Sequence, residues 1–580
     1  MDEPNDQPIR PPIHPPIHPP IREPIREPIR RPAVPRPRPG RLPPRVRRAL
    51  AGPAGVALAA LALFAALAAF GARVHWVEEV GTAERDGYVL EAEILLEGRL
   101  PRDPYRPLLY PLAAAGLGTL LGDPFAAARL LSNAAAAALA ALAFAFGRRL
   151  ADSRAVGWWA FGATALNPNL WTIGQHVTTD VPFAALAGAS LLAAFAYLER
   201  PGWRAVVLGG AALALAAFTR ANAAFLVPAW LAAWYLAPRP ARRLRHLAAL
   251  AVVTLLVLAP HFALRHAQFG DPFHDENWKN LAYKLYGWPD WSYLERVPYD
   301  GPWEVVAANP VRVLGGGMLE TWRFLRYGFW QLVGTPLHAL LFLAGAGAAL
   351  AVRRRRAGWL LFAGGTYTAL VALAFFTWGR LLLVLLPIAA ALAYAPFAGP
   401  VRERVVAALA PRLAGARPAA LRRLAAPGTL RRALALVGAL ALAGLAVKTF
   451  VFRLPAFADR HPYAEVAALR TLAAEVPEGT VIAGVTPFLG RYVDRDYVYV
   501  HDAFGPEIRD PERYYAALRE RLEETGADYL LVAEIDLRDR PAALLGEEPP
   551  APWLEPRGGD DEARVWRVRL EAEPEGKAIR

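Results

Sequence analysis

Apolar residues in this 580-residue chain gather in long runs that are separated by short polar segments. The runs are rich in Ala, Leu, Val and Phe, and many come close to the ~20 residues that a helix needs to cross a bilayer core. We therefore predict a polytopic α-helical membrane protein with about 11 transmembrane helices. The predicted spans are residues 51–72, 125–147, 155–173, 181–198, 204–219, 223–237, 244–264, 331–351, 357–377, 380–398 and 431–452.

One shorter apolar run, 108–121, decides the topology. Arginine clusters beside membrane spans usually face the cytoplasm. If residues 108–121 lie along the membrane, every arginine cluster falls on one side, whereas counting this run as a span places the clusters on both sides. We therefore predict a cytoplasmic N-terminus and an extracytoplasmic C-terminal region. The clusters predicted to be cytoplasmic are Arg148, Arg149 and Arg154, then Arg200 and Arg204, then Arg239, Arg242, Arg243 and Arg245, then Arg353 to Arg356, and the linker 402–432.

Composition divides the chain into three parts. Residues 1–50 are a Pro- and Arg-rich tail of tetrad repeats, which we predict to be disordered and cytoplasmic because proline at this density prevents helix formation. Residues 51–452 form the transmembrane domain, with outer loops 73–124 and 265–330. Residues 453–580 alternate helical segments with short apolar β segments, which predicts a small extracytoplasmic α/β domain. Its predicted elements are helices His461–Glu475 and Pro511–Thr525 and strands Thr480–Val485, Tyr497–Val500 and Tyr529–Ala533.

The charge and cysteine content exclude several classes of site. The formal net charge is +13, but the arginines cluster in the tail and in a few loops, where they set orientation in a membrane protein. No nucleic-acid recognition motif accompanies them, so we predict no nucleic-acid partner. The chain has no cysteine, which excludes disulfides, thiolate metal sites and cysteine nucleophiles.

Polar residues at the outer ends of several predicted spans indicate a site. Asp123 and Asp180 also fit helix caps, since each comes just before a proline or an apolar run. Arg220 also fits an interfacial anchor, and Arg380 the start of a span. Arginines on the outer face run against the usual orientation bias, however, and guanidinium groups match phosphate oxygens well. The candidate residues are Asp86, Asp123, His176, Asp180, Arg220 and Arg380.

The first outer loop carries the most specific pattern. It reads DGYVLEAEILLEG from Asp86 and then YRPLLYP up to Pro111. This pattern resembles the first outer loop of the GT-C glycosyltransferases, and more narrowly of the protein mannosyltransferase and aminoarabinose-transferase group. Three later features are similar to that family: the turn TTDVP around Asp180, the basic residue Arg220, and Arg380 before an apolar span with a proline. The resemblance covers roughly residues 50–400.

The resemblance implies transfer of a sugar from a polyprenyl-phosphate donor to a protein, lipid or glycan acceptor on the outer face of the cytoplasmic (inner) membrane. An acceptor hydroxyl needs a carboxylate to take its proton, and Asp86 is the implied base of an inverting hexosyl- or pentosyltransferase. Arg220 and Arg380 are implied to hold the leaving phosphate. The other implied substrate-binding residues are Tyr88, Tyr110, Asp123, His176 and Asp180.

The sequence departs from the family pattern at two positions. Gly87 follows Asp86 where many relatives carry Asp-Glu, and Arg220 stands where others have lysine. The loop offers few carboxylates or histidines, so we predict no metal and no cofactor. Two other functions fit a polytopic envelope protein. One is a transporter or flippase for a lipid-linked precursor, and the other is a non-catalytic assembly protein in which 453–580 is the active part.

Overall fold

The structure of the chain is a computed structural model. It describes residues 52–74, 87–101, 103–238, 243–287, 297–377, 379–416, 418–458, 464–484, 496–500, 511–533, 544, 546–559 and 563–570. The predictions for the tail 1–50 and for Asp86 concern residues outside these ranges.

Helices make up most of the described chain. Many begin with proline in the first turn. The N–H groups of the first turn have no partner within the helix, so proline costs no hydrogen bond there. In the N-terminal half the helices are α1 Pro53–Gly71, α2 Tyr88–Leu96, α3 Leu109–Leu121, α4 Pro124–Ala151, α5 Arg154–Ala165, α6 Pro168–Ile173, α7 Asp180–Glu199, α8 Trp203–Ala217, α9 Val227–Leu236 and α10 Arg243–Phe269. After them come α11 Lys279–Ala282, α12 Pro302–Ala308, α13 Pro310–Arg323, α14 Phe329–Leu332, α15 Pro336–Ala374, α16 Leu386–Tyr394, α17 Gly399–Ala414, α18 Ala419–Leu424, α19 Pro427–Val447, α20 Leu454–Ala458, α21 Ala464–Glu475 and α22 Pro511–Thr525. Short 3₁₀ turns cover Ala221–Leu226, Gly379–Leu385 and Ala395–Phe397, and π turns cover Tyr283–Gly287, Phe324–Gly328 and Lys448–Arg453.

Seven helices in the described ranges are long and apolar enough to cross a membrane. They are Pro53–Gly71, Pro124–Ala151, Asp180–Glu199, Leu244–Phe269, Pro336–Ala374, Gly379–Phe397 and Pro427–Ala458.

Each of the 11 predicted spans falls on a helical segment, but the segments are not all of spanning length. Two predicted spans merge in α15, which is kinked at Arg353, where φ is −131° and ψ is 46°. The runs 204–219 and 223–237 correspond to shorter apolar helices. A membrane protein of mostly helical architecture is therefore confirmed, while the count of about 11 spans stays a prediction.

Small residues let the helices pack closely. A Cβ atom on Gly147 in α4 would meet the backbone oxygen of Val156 in α5 at 2.9 Å. A Cβ on Gly345 in α15 would collide with the carbonyl of Leu392 in α16. Because glycine has no side chain, the helix backbones can approach closely at these positions. Close van der Waals packing stabilises helix association in lipid, where no hydrophobic effect drives it.

The described residues of the segment 265–330, which is predicted to lie outside, form short helices with a core of their own. Leu281, Leu285, Val305 and Val313 are buried together there. Lys284 is half-buried beside this core and donates to the backbone oxygen of residue 372 at the end of α15. Burial lowers the pKa of Lys284 to about 8, and the carboxylate of residue 320 only partly offsets this. The described residues of this segment are therefore packed against one another.

The C-terminal region contains a five-stranded mixed sheet. Its strands are β1 Val481–Gly484, β2 Asp496–Tyr499, β3 Tyr529–Ala533, β4 Leu554–Gly559 and β5 Ala563–Val568. The order is β2-β1-β3-β5-β4, with β1 parallel to β2 and β3, and β5 antiparallel to β3 and β4. In register, Ile482 lies opposite Tyr497 and Tyr529, and Leu530 lies opposite Trp566.

One helix covers each face of this sheet. Leu518 and Leu522 of α22 are buried in the same core as Leu530 of β3. On the other face, Leu469 of α21 is buried with Leu531 of β3. Successive residues of β3 point to opposite faces, as the period of a strand requires. The described residues thus form an α/β layer structure, with both predicted helices and all three predicted strands present.

Candidate functional site

Asp180 lies at the centre of a charged cluster at one end of the helix bundle. It is the first residue of α7, and its side chain is only 1% exposed. Arg220, in the turn before the 3₁₀ segment Ala221–Leu226, brings Nη1 to 2.5 Å from Asp180 Oδ1. Arg380, in the 3₁₀ segment Gly379–Leu385, brings Nη1 to 3.6 Å from Asp180 Oδ2. Three residues that are far apart in the sequence thus meet in one cluster.

The residues beside Asp180 fix its position. The hydroxyl of Thr178 donates to Asp180 Oδ2 at 3.0 Å, and Arg220 Nη1 also donates to Thr179 Oγ1 at 3.2 Å. Asp180 does not act as a side-chain cap, since Thr179 is the N-cap residue of α7 and makes no side-chain cap bond. The carboxylate therefore interacts with the two arginines and with Thr178, and it makes no capping hydrogen bond to the helix.

Tyr88 connects the first outer loop to this cluster. It begins α2, and its hydroxyl lies 2.9 Å from Thr179 Oγ1. The ring of Tyr110 meets that of Tyr88 edge-on, with centroids 5.5 Å apart. The hydroxyl of Tyr110 donates to the carbonyl of Ala128 at 2.8 Å and lies 2.9 Å from Ser132 Oγ. The two tyrosines of the sequence motif therefore join α2, α3 and α4 to the start of α7.

Of the two remaining predicted residues, His176 lies near Asp180, whereas Asp123 caps another helix. His176 is close enough to Asp180 for their charges to interact, and its ring is 6.1 Å from that of Phe457. Asp123 is exposed and caps α4, since it accepts a hydrogen bond from the Phe125 N–H at 2.8 Å. The capping interpretation of Asp123 is observed, and its role in substrate binding stays a prediction.

An arginine that sequence reasoning missed holds the segment before Tyr110. Arg265 near the end of α10 is 2% exposed. Its Nη1 donates to the carbonyl of Asp103 at 2.7 Å, and its Nη2 donates to two further carbonyls in the segment 103–106. Gln268, one helical turn later, donates to the carbonyl of Pro101. No local pattern marks Arg265, because its partners lie about 160 residues earlier.

Glu91 and Tyr367 are two further buried polar residues that the sequence did not single out. Glu91 lies in α2, is 4% exposed, and interacts electrostatically with Arg265. Tyr367 in α15 donates to the carbonyl of Leu381, the residue after Arg380, at 3.2 Å. Glu91 follows Tyr88 by three residues and so lies on the same, buried face of α2, and this spacing is a signal that could have identified it.

The exposures of the three charged side chains differ in a way that matters for binding. The guanidinium-bearing side chains of Arg220 and Arg380 are 21% and 31% exposed, whereas Asp180 is 1% exposed. A ligand can therefore reach the arginines but not the carboxylate, so the cluster is suited to an anion such as a phosphate.

Within the described residues, no group of three or more His, Cys, Asp or Glu side chains could hold a metal ion. Asp86 lies outside the described ranges, and so the prediction of a site without metal stays a prediction.

Residues 105–263 match the family described as dolichyl-phosphate-mannose-protein mannosyltransferase. The matched stretch contains Tyr110, His176, Asp180 and Arg220. The structure of ArnT from Cupriavidus metallidurans bound to undecaprenyl phosphate superposes with a TM-score of 0.53 at 15% identity, covering 89% of this chain and 99% of ArnT. The resemblance to the GT-C glycosyltransferase superfamily is confirmed.

Two further solved structures are similar to this chain. ArnT from the same organism in the apo state gives the same TM-score, identity and coverage. The Archaeoglobus fulgidus oligosaccharyltransferase in complex with Zn and sulfate gives a TM-score of 0.47 at 12% identity, covering 74% of this chain and 59% of that one. No curated protein matches the sequence. At 15% identity the likeness to ArnT concerns the fold alone, and it extends over 89% of this chain.

Proposed function

We propose that this GT-C protein transfers a sugar from a polyprenyl-phosphate donor to an acceptor on the outer face of the cytoplasmic membrane. The observation that carries the proposal is the cluster of Arg220, Arg380 and Asp180, in which two partly exposed guanidinium groups share one buried carboxylate. The binding of undecaprenyl phosphate to ArnT, a protein of the same fold, supports a polyprenyl-phosphate ligand for this chain.

The proposed reaction is an inverting displacement at the anomeric carbon of the sugar. The acceptor hydroxyl attacks that carbon, a new C–O bond forms, and the bond from the anomeric carbon to the phosphate oxygen breaks. The acceptor proton passes to a carboxylate, and polyprenyl phosphate leaves with the bonding electron pair. Because negative charge grows on the departing phosphate, the guanidinium groups of Arg220 and Arg380 bind the transition state more strongly than the bound donor.

Asp86 is the proposed base. It stands two positions before Tyr88, and two residues of extended chain span at most about 7 Å. Tyr88 in turn bonds Thr179, the neighbour of Asp180. Chain connectivity therefore supports a carboxylate in the neighbourhood of the two arginines.

The test compares wild type with Asp86→Asn in a deletion strain, with mass spectrometry of envelope glycans and of lipid extracts. We expect the variant to be made at the normal level, to lack the modified glycan and to accumulate the polyprenyl-phosphate sugar. Restoration of the glycan by Asp86→Asn would refute Asp86 as the base.

A second measurement separates transfer from transport. Purified full-length protein in proteoliposomes receives a lipid-linked radiolabelled sugar together with an envelope extract as acceptor. We expect a covalent sugar–acceptor product and release of polyprenyl phosphate. Movement of the lipid-linked sugar across the bilayer without any covalent product would support the flippase alternative instead.

A further inference from the structure

A large open groove lies at the end of α7 opposite Asp180. It has a volume of about 1870 Å³ and is formed by the start of α1, the ends of α4 and α7, the start of α8 and the region of the α15 kink. Drug-sized ligands occupy pockets of about 300–1,000 Å³, so this groove has room for a larger molecule. Because α7 has 20 residues, its two ends are about 30 Å apart, the thickness of a bilayer core. The groove and the Asp180 cluster therefore lie at opposite membrane boundaries.

The groove is strongly basic. Nine arginines and two acids line it, a formal excess of seven positive charges. Both acids are already neutralised: Asp152 pairs with Arg353 at 2.7 Å and Arg356 at 2.8 Å, and Glu199 pairs with Arg149 at 2.7 Å. The groove wall therefore keeps a large positive excess that its own acids do not offset.

Five of these arginines are exposed and make no ion pair within the described part of the chain. Guanidinium groups in this number repel one another unless anions lie between them. Planar guanidinium groups bind phosphate oxygens through paired hydrogen bonds. The five are Arg148, Arg154, Arg200, Arg204 and Arg354.

The wall beneath the arginines is apolar. Val56 of α1, Leu142 of α4 and Leu192 of α7 line it, and Leu208 of α8 is 67% exposed. Trp203 at the mouth is 54% exposed, a position typical of tryptophan at a membrane–water boundary. A basic mouth above an apolar wall matches a molecule with an anionic head and hydrocarbon chains.

We propose that this groove binds an anionic phospholipid of the adjacent leaflet, with its phosphate between these five arginines and its acyl chains along the apolar wall. Basic pockets between transmembrane helices bind such headgroups by the same chemistry. Charge complementarity and the apolar wall select a lipid over a soluble phosphate. The proposal is independent of the transfer reaction, because none of its residues belongs to the Asp180 cluster.

The first test measures lipid retention by native mass spectrometry. Full-length protein is delipidated and then exposed to phosphatidylglycerol or to phosphatidylcholine at equal concentration. We expect wild type to retain phosphatidylglycerol preferentially, and the triple variant Arg200→Gln, Arg204→Gln, Arg354→Gln to lose that preference by about tenfold or more. The matched control is Arg412→Gln, Arg422→Gln, Arg423→Gln, which removes the same charge from the linker and keeps the preference.

Two results would contradict lipid binding by this groove. Equal retention of the two lipids by wild type, or an unchanged preference in the triple variant, would overturn the proposal and leave the arginines with a role in orientation only. Because the chain has no cysteine, single cysteines at Asp271 and Ala420 report whether the variant keeps its topology.

A second test requires no variant. Phosphatidylglycerol with a photoreactive acyl chain is crosslinked to the wild-type protein, and the labelled peptides are identified by mass spectrometry. We expect residues 189–208 to be labelled several-fold more than residues 244–256 of α10, whose surface also faces outward with exposed leucines. Equal labelling of both regions would show ordinary lipid contact and contradict a specific site.

Discussion

Replacing Arg220 with glutamine tests whether the arginines bind substrate or only neutralise Asp180. Arg220 donates to Asp180 at 2.5 Å, and loss of one partner of a buried ion pair costs about 3–5 kcal/mol. Arg380 remains 3.6 Å from the same carboxylate, and Arg220 is 21% exposed, so we expect about 3 kcal/mol for Arg220→Gln. By the same reasoning the more distant partner contributes less, and Arg380→Gln costs about 1 kcal/mol.

The expected losses of transfer rate, unlike the losses of stability, are similar for the two glutamine variants. If both guanidinium groups stabilise charge on the leaving phosphate, each glutamine variant loses about 10²–10³-fold in kcat, since each removes one donor to the transition state. Arg220→Lys keeps the positive charge but not the planar fork, so we expect it to lose roughly tenfold. The matched control is Arg326→Gln, an exposed arginine of the outer region, for which stability and transfer should stay near wild type.

The assay measures the initial rate of sugar transfer in proteoliposomes, at a temperature well below the unfolding midpoint of every variant. Thermal unfolding of the same preparations gives the stability order. Comparable losses of kcat at Arg220 and Arg380, despite unequal losses of stability, support direct binding of the phosphate. The reasoning is refuted if transfer falls only in proportion to the folded fraction, or if Arg380→Gln transfers at the wild-type rate.

Three further predictions concern other parts of the molecule. Arg265→Gln should lower the unfolding midpoint and speed hydrogen exchange in the segment 103–106, because three carbonyls lose their donor; unchanged exchange there would contradict this. The pKa of Lys284 is about 8 in the folded state, below its ordinary value, so the unfolded state binds more protons between about pH 8 and 10.5 and stability should rise with pH in that window. Lys284→Met should remove this rise in thermal unfolding midpoints. Trp566→Ala should cost about 3–5 kcal/mol, because Trp566 is fully buried and donates to the carbonyl of Leu544 at 2.8 Å; hydrogen exchange in β3 measures the loss.

Local patterns predicted the long apolar helices, the two helices of the C-terminal region and part of its sheet. Runs of Ala and Leu favour helix in any context, and the strand Tyr529–Ala533 is a short apolar segment between turns. The strands β4 and β5 were missed. Leu554–Gly559 reads LEPRGG with only its first residue buried, so neither alternation nor apolar content marks it. It is a strand because it pairs with β5, which is a tertiary effect.

The predicted membrane topology indicated which residues of the site lie on the same side of the membrane. Arginine distribution placed Asp180, Arg220 and Arg380 on one side of the membrane, and the fold brings them into contact. The interaction of Arg265 with Glu91 and with the carbonyl of Asp103 could not be found this way, since it depends on how the segment after the first span packs against α10. Sequence thus indicates which residues share a membrane boundary, but not which of them touch.

The exposures of the charged side chains in the Asp180 cluster favour a role in binding over a role in stability. A buried ion pair gains little over well-packed apolar side chains, because desolvation of both charges offsets most of their attraction. A structural role would be served by one arginine for one carboxylate, with the pair closed to water. Here a second arginine approaches the same carboxylate, and both arginines stay accessible while the carboxylate does not. Guanidinium groups that stay accessible around one buried carboxylate can still bind an anion, which is the property that a site for a lipid phosphate requires.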